Sequence, residues 1–201
     1  MKIICIGRNY LNHAKEMNSK VPKQPMIFIK PESAVNPTDV LDYPSFTKDL
    51  HYELELVLKI NKKVSNISLD NASACYDEIG LGIDFTARDI QYKCKEKGHP
   101  WEKAKAFDNS ATVGSFVKKS EINVSNVPFK LTVNGEERQI GFSKDMIFNF
   151  DYLIHYTSQY FTLNEGDLIF TGTPEGVGPV KSGDVLNGYL DDKLLLNVSI
   201  N

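Results

Sequence analysis

Two glutamates, Glu53 and Glu55, sit one residue apart in the run "DLHYELELVLKI" from Asp49 to Ile60. The run alternates as a β-strand does, so Glu53 and Glu55 point the same way, and His51 joins them. Two carboxylates about 6–7 Å apart on one face repel unless water or a cation screens them. They also supply hard oxygen ligands suited to Mg²⁺ or Mn²⁺, for which a third ligand is needed. The opposite face carries Leu50, Tyr52, Leu54, Leu56, Leu58 and Ile60, the pattern of a half-buried strand whose polar side is simply wet. The stretch alone leaves both readings open.

Other residues have chemistry-bearing spacing. Asp84, in "GLGIDFTARD", lies where an apolar strand gives way to a helix, a place for a ligand or for a turn-forming Asp. Arg88 and Gln91 follow at i, i+3 and share a helix face that could hold a carboxylate or cover the surface. His13 and Glu16 have the same spacing on an earlier helix. A carboxylate beside an imidazole fixes its tautomer and raises its basicity, as a general base requires, although such pairs also occur as plain surface contacts. Lys105 stands among Ala104, Ala106 and Phe107, either aimed at an anion or solvated on a strand. "TGTPEGVG", from Thr171 to Gly178, lacks the Lys-Ser/Thr ending of a Walker loop. It can present backbone N–H groups and hydroxyls to a carboxylate, or form a tight structural turn.

The elements that must position these groups are mostly strands. "KIICIG" predicts a first strand and "NYLNHAKEM" a short helix capped by Asn9. Pro22, Pro25, Pro31 and Pro37 break regular structure and leave residues 18–45 mostly loop around a strand "MIFIK". "LHYELELVLKI" predicts one continuous strand, "LDNASACYDEI" a helix and "IGLGI" a buried strand. "FTARDIQYKCKEKG" predicts a helix with Thr86 and Asp89 as a capping box and Gly98 at its end. Asn134-Gly135 is a type I′ hairpin signal. "SKDMIFNFDYLIHYTSQYF" predicts an amphipathic helix capped by Ser143, with Phe150, Leu153, Ile154 and Thr157 on one face. "LIFTG" predicts a strand, and the C-terminal "DVLNGYL" and "KLLLNVSI" a hairpin. The class is α+β, mainly β.

Composition narrows the function classes. The 201 residues are 41% hydrophobic and 24% charged, with net charge −3, which is globular and offers no basic footprint for nucleic acid. No apolar run approaches a membrane span or a secretory leader. Cys5, Cys75 and Cys94 form no CxxC pair, which implies a reducing compartment and a cytoplasmic protein. The expected partner is a small molecule.

The order of the motifs carries more than each alone. "GRNYLNHAKEM", "FIKP", "LHYELEL", "GIDFTARDIQ", "GHPWEKAKAFDNSATVG", "VNGEERQ", "DMIF", "LNEGDLIFTGTPEGVG" and "GDVL" together resemble the fumarylacetoacetate hydrolase family, from about residue 3 to the C-terminus. The chain looks most like its short, acylpyruvase-type members. The resemblance implies a single catalytic domain over residues 1–201, a mixed β-sandwich roll and a homodimer. It implies that Glu53, Glu55 and Asp84 hold Mg²⁺ (or Mn²⁺), and that His13 and Glu16 form the dyad that activates water. Lys105 then contacts the substrate and the developing enolate, and Arg88, Gln91 and Thr173 contact substrate. His51 has no matched ligand role. The implied reaction is metal-dependent hydrolysis of the C3–C4 bond of acylpyruvates such as acetylpyruvate or fumarylpyruvate, giving pyruvate and a carboxylate. The same chelate would serve decarboxylation of oxaloacetate. The alternative is isomerisation or decarboxylation of 2-hydroxy-dienoate or 2-oxo-enedioate intermediates of aromatic catabolism.

Overall fold

A computed structural model describes all 201 residues as a mainly β molecule of mixed sheets with a few short helices. The largest sheet has six strands in the order β2 (Met26–Lys30), β1 (Ile3–Gly7), β11 (Leu168–Phe170), β5 (Leu54–Ile60), β6 (Tyr76–Asp84), β8 (Ala111–Lys118). A second sheet runs β10 (Glu136–Phe142), β9 (Pro128–Val133), β13 (Val185–Leu190), β14 (Lys193–Ile200), β3 (Val40–Leu41). A small third sheet joins β12 (Gly178–Pro179), β4 (Leu50–Tyr52) and β7 (Thr86–Ala87). The helices are α1 (Leu11–Glu16), α2 (Leu69–Ala72), α3 (Arg88–Lys97), α4 (Glu102–Lys105) and α5 (Phe150–Ser158).

A core cluster of 33 buried residues draws on both large sheets, with Leu54, Leu56, Leu58, Leu81 and Ile83 from one and Leu131, Leu186 and Leu196 from the other. Burying each such aliphatic side chain is worth about 1.5–3 kcal/mol relative to exposure. A smaller cluster, including Ile3, Cys5, Val57 and Phe170, fills the other face of the first sheet. Strands covered on both faces read as continuous apolar runs, which is why "IICI" shows no alternation. Gly82 reflects the same crowding, because a Cβ there would come within 2.5 Å of the Phe170 ring.

Several local expectations hold. Asn134 and Gly135 adopt φ values of +54° and +84° in the hairpin between β9 and β10, and Gly98 ends α3 at φ +64°. Phe150, Leu153, Ile154 and Thr157 are the buried side of α5, and all three cysteines are buried and free.

Others are corrected by tertiary partners. Asn9 does not cap α1; its amide donates to the carbonyls of Phe148 and Thr171 deep in the molecule. The Thr86 capping box is absent. Thr86 belongs to β7, its hydroxyl accepts from Lys105, and Asp89 accepts from Thr47 instead. Ser143 starts only a 3-10 turn, and Asn149 caps a shorter α5. "LDNASACYDEI" is helical only to Cys75, because Tyr76 onward pairs with β5. The strand foreseen over residues 50–60 is broken at Glu53 into β4 and β5, which join different sheets.

Candidate active site

The break at Glu53 turns the chain between sheets and leaves its carbonyl to accept from the Asp84 N–H at 2.9 Å. Antiparallel pairing of β5 with β6 sets Leu54 opposite Ile83 and Glu55 opposite Gly82, so the two glutamates and Asp84 converge at one end of the pair. One carboxylate oxygen from each of Glu53, Glu55 and Asp84 lies within 4.8 Å of the others. Glu53 is 6% exposed, Glu55 2% and Asp84 1%, so this is not the wet face of an ordinary strand.

Three buried carboxylates without compensation would be prohibitively costly, and the chain supplies cations. Lys105 Nζ donates to Glu53 Oε2 and Asp84 Oδ2, both at 2.8 Å, and to Thr86 Oγ1 at 2.6 Å. It is buried and on the helix α4, not a solvated strand lysine. Arg88 Nη2 donates to Glu53 Oε1 at 2.8 Å, and its Nη1 donates to Gln91 Oε1 at 2.9 Å, so the i, i+3 face points inward. Beneath them Lys30, fully buried, approaches Asp84 Oδ1 at 2.9 Å. Its Nζ donates to the carbonyls of Lys105 and Ser110 and to the Ser110 hydroxyl, so its contact with Asp84 is an ion pair without hydrogen-bond alignment. Asp84 Oδ1 therefore receives no hydrogen bond despite its burial.

These contacts fix the protonation states. Burial opposes ionisation of Glu53, but Lys105 and Arg88 outweigh it and hold the carboxyl well below the usual range. Glu55 goes the other way: burial, then the charges of Asp84 and Glu53, push its carboxyl well up against a single hydrogen bond from Gly172 N–H at 2.6 Å. Burial disfavours the Lys105 charge, yet Asp84 and Glu53 together hold its ammonium above the ordinary lysine value.

The donor set fits a divalent cation. It is all hard oxygen, it offers three carboxylates when Glu55 ionises, and one oxygen of Asp84 is buried with an ion-pair contact to Lys30 but no hydrogen bond.

The dyad lies across the cavity. His13 Nδ1 is 3.0 Å from Glu16 Oε2, and Glu16 Oε1 accepts from Gly176 N–H at 3.0 Å. Burial resists the Glu16 charge, but the bonds from His13 and Gly176 prevail and lower its carboxyl pKa. The loop "TGTPEGVG" thus holds Glu55 at one end and Glu16 at the other. Its Thr173 hydroxyl accepts from Gln139 Nε2 at 2.8 Å, and Gln139 Oε1 accepts from Leu54 N–H at 2.9 Å. His51 is turned to Asp49, 2.9 Å from its Nε2, and lies outside the carboxylate set.

His13, the three carboxylates, Arg88, Gln91, Lys105 and Thr173 all line one cavity, together with Arg8 and Lys95. Its void, about 30 Å³, holds a water or two, so a four-carbon acid enters only if lining side chains move outward. A larger concavity of about 930 Å³ opens at the opposite end of β5 and β6, where Lys59 pairs with Glu78 and Asn61 with Asp77. It holds none of the residues singled out above.

Lys30, Gln139, Arg8 and Lys95 were missed as single residues by sequence reasoning. Lys30 lies in "FIKP", where a lysine ending an apolar strand is the only signal for an inward cation. Gln139 sits among exposed neighbours in "NGEERQ", and nothing local distinguishes it.

Fold and site define a protein with a buried carboxylate triad, a lysine bridging two of its members and a His–Glu dyad whose imidazole lines the same cavity. Residues 2–194 match the family described as fumarylacetoacetate (FAA) hydrolase C-terminal, and the chain belongs to that family. An oxaloacetate tautomerase of Escherichia coli is 43% identical over 193 residues, covering 94% of this chain and 88% of that protein. The mitochondrial oxaloacetate tautomerase of Bos taurus is 43% identical over 201 residues, covering 98% of this chain and 90% of its own length. The crystal structure of fumarylpyruvate hydrolase from Pseudomonas aeruginosa, in complex with Mn²⁺ and pyruvate, superposes with a TM-score of 0.93 at 38% identity, covering 100% of this chain and 89% of that one. No helix of the chain is long and apolar enough to cross a membrane.

Proposed function

We propose that the chain is a divalent-cation-dependent enzyme of 2-oxo acids that interconverts the keto and enol forms of oxaloacetate. The observation that carries this reading is the placement of His13, its Nδ1 tied to Glu16 at 3.0 Å, on the same cavity as the carboxylates and Lys105. One proton-transfer group facing one charge-stabilising group is what enolisation requires. The names of the bacterial and mitochondrial relatives support the choice of oxaloacetate.

Glu53, Glu55 and Asp84 would hold a divalent cation, which would supply Lewis-acid polarisation to a carbonyl oxygen bound there. The Glu16 carboxylate keeps the proton on His13 Nδ1 and leaves Nε2 free to accept one. His13 takes the C3 proton, the C–H electron pair becomes the C2–C3 double bond, and charge develops on the 2-oxo oxygen. Lys105 is charged and fixed by three hydrogen bonds, so it stabilises that oxygen as a preorganised cation and not as an acid. The protonated His13 returns that proton to the 2-oxo oxygen, which completes the enol, and the reverse steps restore the ketone. Arg88 holds Glu53, Gln91 braces Arg88, and the two shape the wall beside the substrate carboxylate.

A second reading, hydrolysis of acylpyruvates at C3–C4, is favoured by room for a water beside the same dyad. There His13 would take a proton from the water attacking C4, and the electrons of the broken bond would flow into a pyruvate enolate. Oxaloacetate, acetylpyruvate, fumarylpyruvate and a 2-hydroxy-dienoate, each followed by ultraviolet absorbance with Mg²⁺ or Mn²⁺, separate these reactions. Accelerated enol–keto exchange of oxaloacetate is expected. Cation-dependent turnover of the dienoate alone would overturn both readings.

A further inference from the structure

Of the positive groups around the cavity, Lys30, Lys105 and Arg88 answer Glu53 and Asp84. Arg8 and Lys95 line the same cavity, and neither side chain appears in any ion pair or hydrogen bond with the rest of the chain. Lys95, in the last turn of α3, rests only against aromatic faces, its Nζ 5.4 Å from the Trp101 centroid and 5.8 Å from that of Tyr92. Burial, then the nearby Arg88 and Arg8 cations, bring its pKa down to about 8. Arg8 is also held at φ +60°, a left-handed backbone that costs a non-glycine residue about 1 kcal/mol. Two half-buried cations on one cavity, one of them on a strained backbone, repel each other, and an anion bound in that cavity would relieve the repulsion.

The charge count points to the same ligand. Three carboxylates balance three paired cations, so a bound divalent cation leaves the site positive. A 2-oxo carboxylate at the cation cancels one charge, and a second carboxylate offsets one of the two unpaired charges on Arg8 and Lys95. We infer that Arg8 and Lys95 form a subsite for the far carboxylate of a dicarboxylic 2-oxo acid and set a preference for dianionic over monoanionic substrates. This rests on the 2-oxo-acid reading above.

The test compares wild type with Arg8→Gln and Lys95→Gln, each loaded with Mn²⁺. In calorimetric titrations, 2-oxoglutarate and 2-oxovalerate differ only in a terminal carboxylate against a methyl. The preference for 2-oxoglutarate is expected to fall at least about tenfold in each variant, or ~1.4 kcal/mol. In kinetics, the ratio of kcat/KM for oxaloacetate to that for acetylpyruvate should fall in parallel, while Mn²⁺ affinity is not lowered. An unchanged preference in both variants, or an equal loss for both ligands, would overturn the subsite. Wild type that binds both acids with the expected preference but turns over no 2-oxo acid would instead overturn the reaction proposed above. Should Arg8→Gln fail to fold, Lys95→Gln decides alone.

Discussion

Lys105 Nζ lies 2.8 Å from Asp84 Oδ2, inside the group of carboxylates that would hold the cation. The ammonium makes the same 2.8 Å contact with Glu53. Without a divalent ion, this one side chain therefore compensates two of three buried acids. Removing one partner of a buried ion pair strands the other and costs about 3–5 kcal/mol. Lys105→Met is expected to lose that much stability in chelator and to regain part of it in Mn²⁺, since saturation a hundredfold above Kd is worth ~2.7 kcal/mol. Thermal unfolding with and without Mn²⁺ checks this. A variant that melts like wild type in chelator would show that Lys105 does not carry the apo site.

Glu55 makes the opposite prediction. Burial, with Asp84 and Glu53 beside it, raises its folded pKa above the unfolded value. Its favourable contribution is therefore complete below about pH 4, the unfolded range, and is lost as pH rises through the folded pKa. A cation needs the ionised form, so binding must release a proton and strengthen with pH. Glu55→Gln should leave the cation-free protein at least as stable as wild type at neutral pH, yet weaken Mn²⁺ binding by about a hundredfold or more. Calorimetry in buffers of different ionisation enthalpy reads the proton directly; no proton release by wild type would contradict the assignment.

These opposed environments explain what could be read from the chain and what could not. Alternation placed Glu53 and Glu55 on one side, and that was a local fact. Burial, and the arrival of Asp84 from the neighbouring strand, depended on a register that only the completed sheet fixes. The motif order supplied the rest of the site by resemblance. The failures share one cause: Asn9, Thr86 and Ser143 are polar residues well placed for local caps, and long-range partners took all three. Lys30 shows the limit most sharply, because its acceptors lie 75 and 80 residues away. Local propensity cannot foresee a partner at that separation.

The His13–Glu16 dyad predicts a split between reactions. Loss of CO₂ from oxaloacetate needs no attacking water, whereas C3–C4 hydrolysis does. His13→Ala should thus lower acylpyruvate cleavage by about 10²–10⁴-fold and decarboxylation by much less. Glu16→Gln keeps an acceptor for Gly176 N–H but removes the charge that orients the imidazole, so an intermediate loss is expected. Initial rates on both substrates, with kcat and KM separated, provide the measurement. Equal losses in both reactions would remove the water-activating role.

Gly172 couples the loop from Thr171 to Gly178 to the carboxylates, and its backbone leaves no room for a side chain. Its φ is +100°, a Cβ would come within 2.7 Å of the Asn9 Cβ, and its N–H donates to Glu55 Oε2. Gly183 has a similar φ of +92° but open space around it, so Gly183→Ala isolates the backbone strain from the crowding. Gly183→Ala should cost about 1–2 kcal/mol, the left-handed penalty alone. Gly172→Ala should cost more and also weaken Mn²⁺ binding, because the loop must retreat from Asn9 and carry its donor away from Glu55. Denaturant unfolding paired with Mn²⁺ titration separates the two effects. If Gly172→Ala loses stability while binding Mn²⁺ as wild type does, the Gly172–Glu55 hydrogen bond has no part in shaping the cation site.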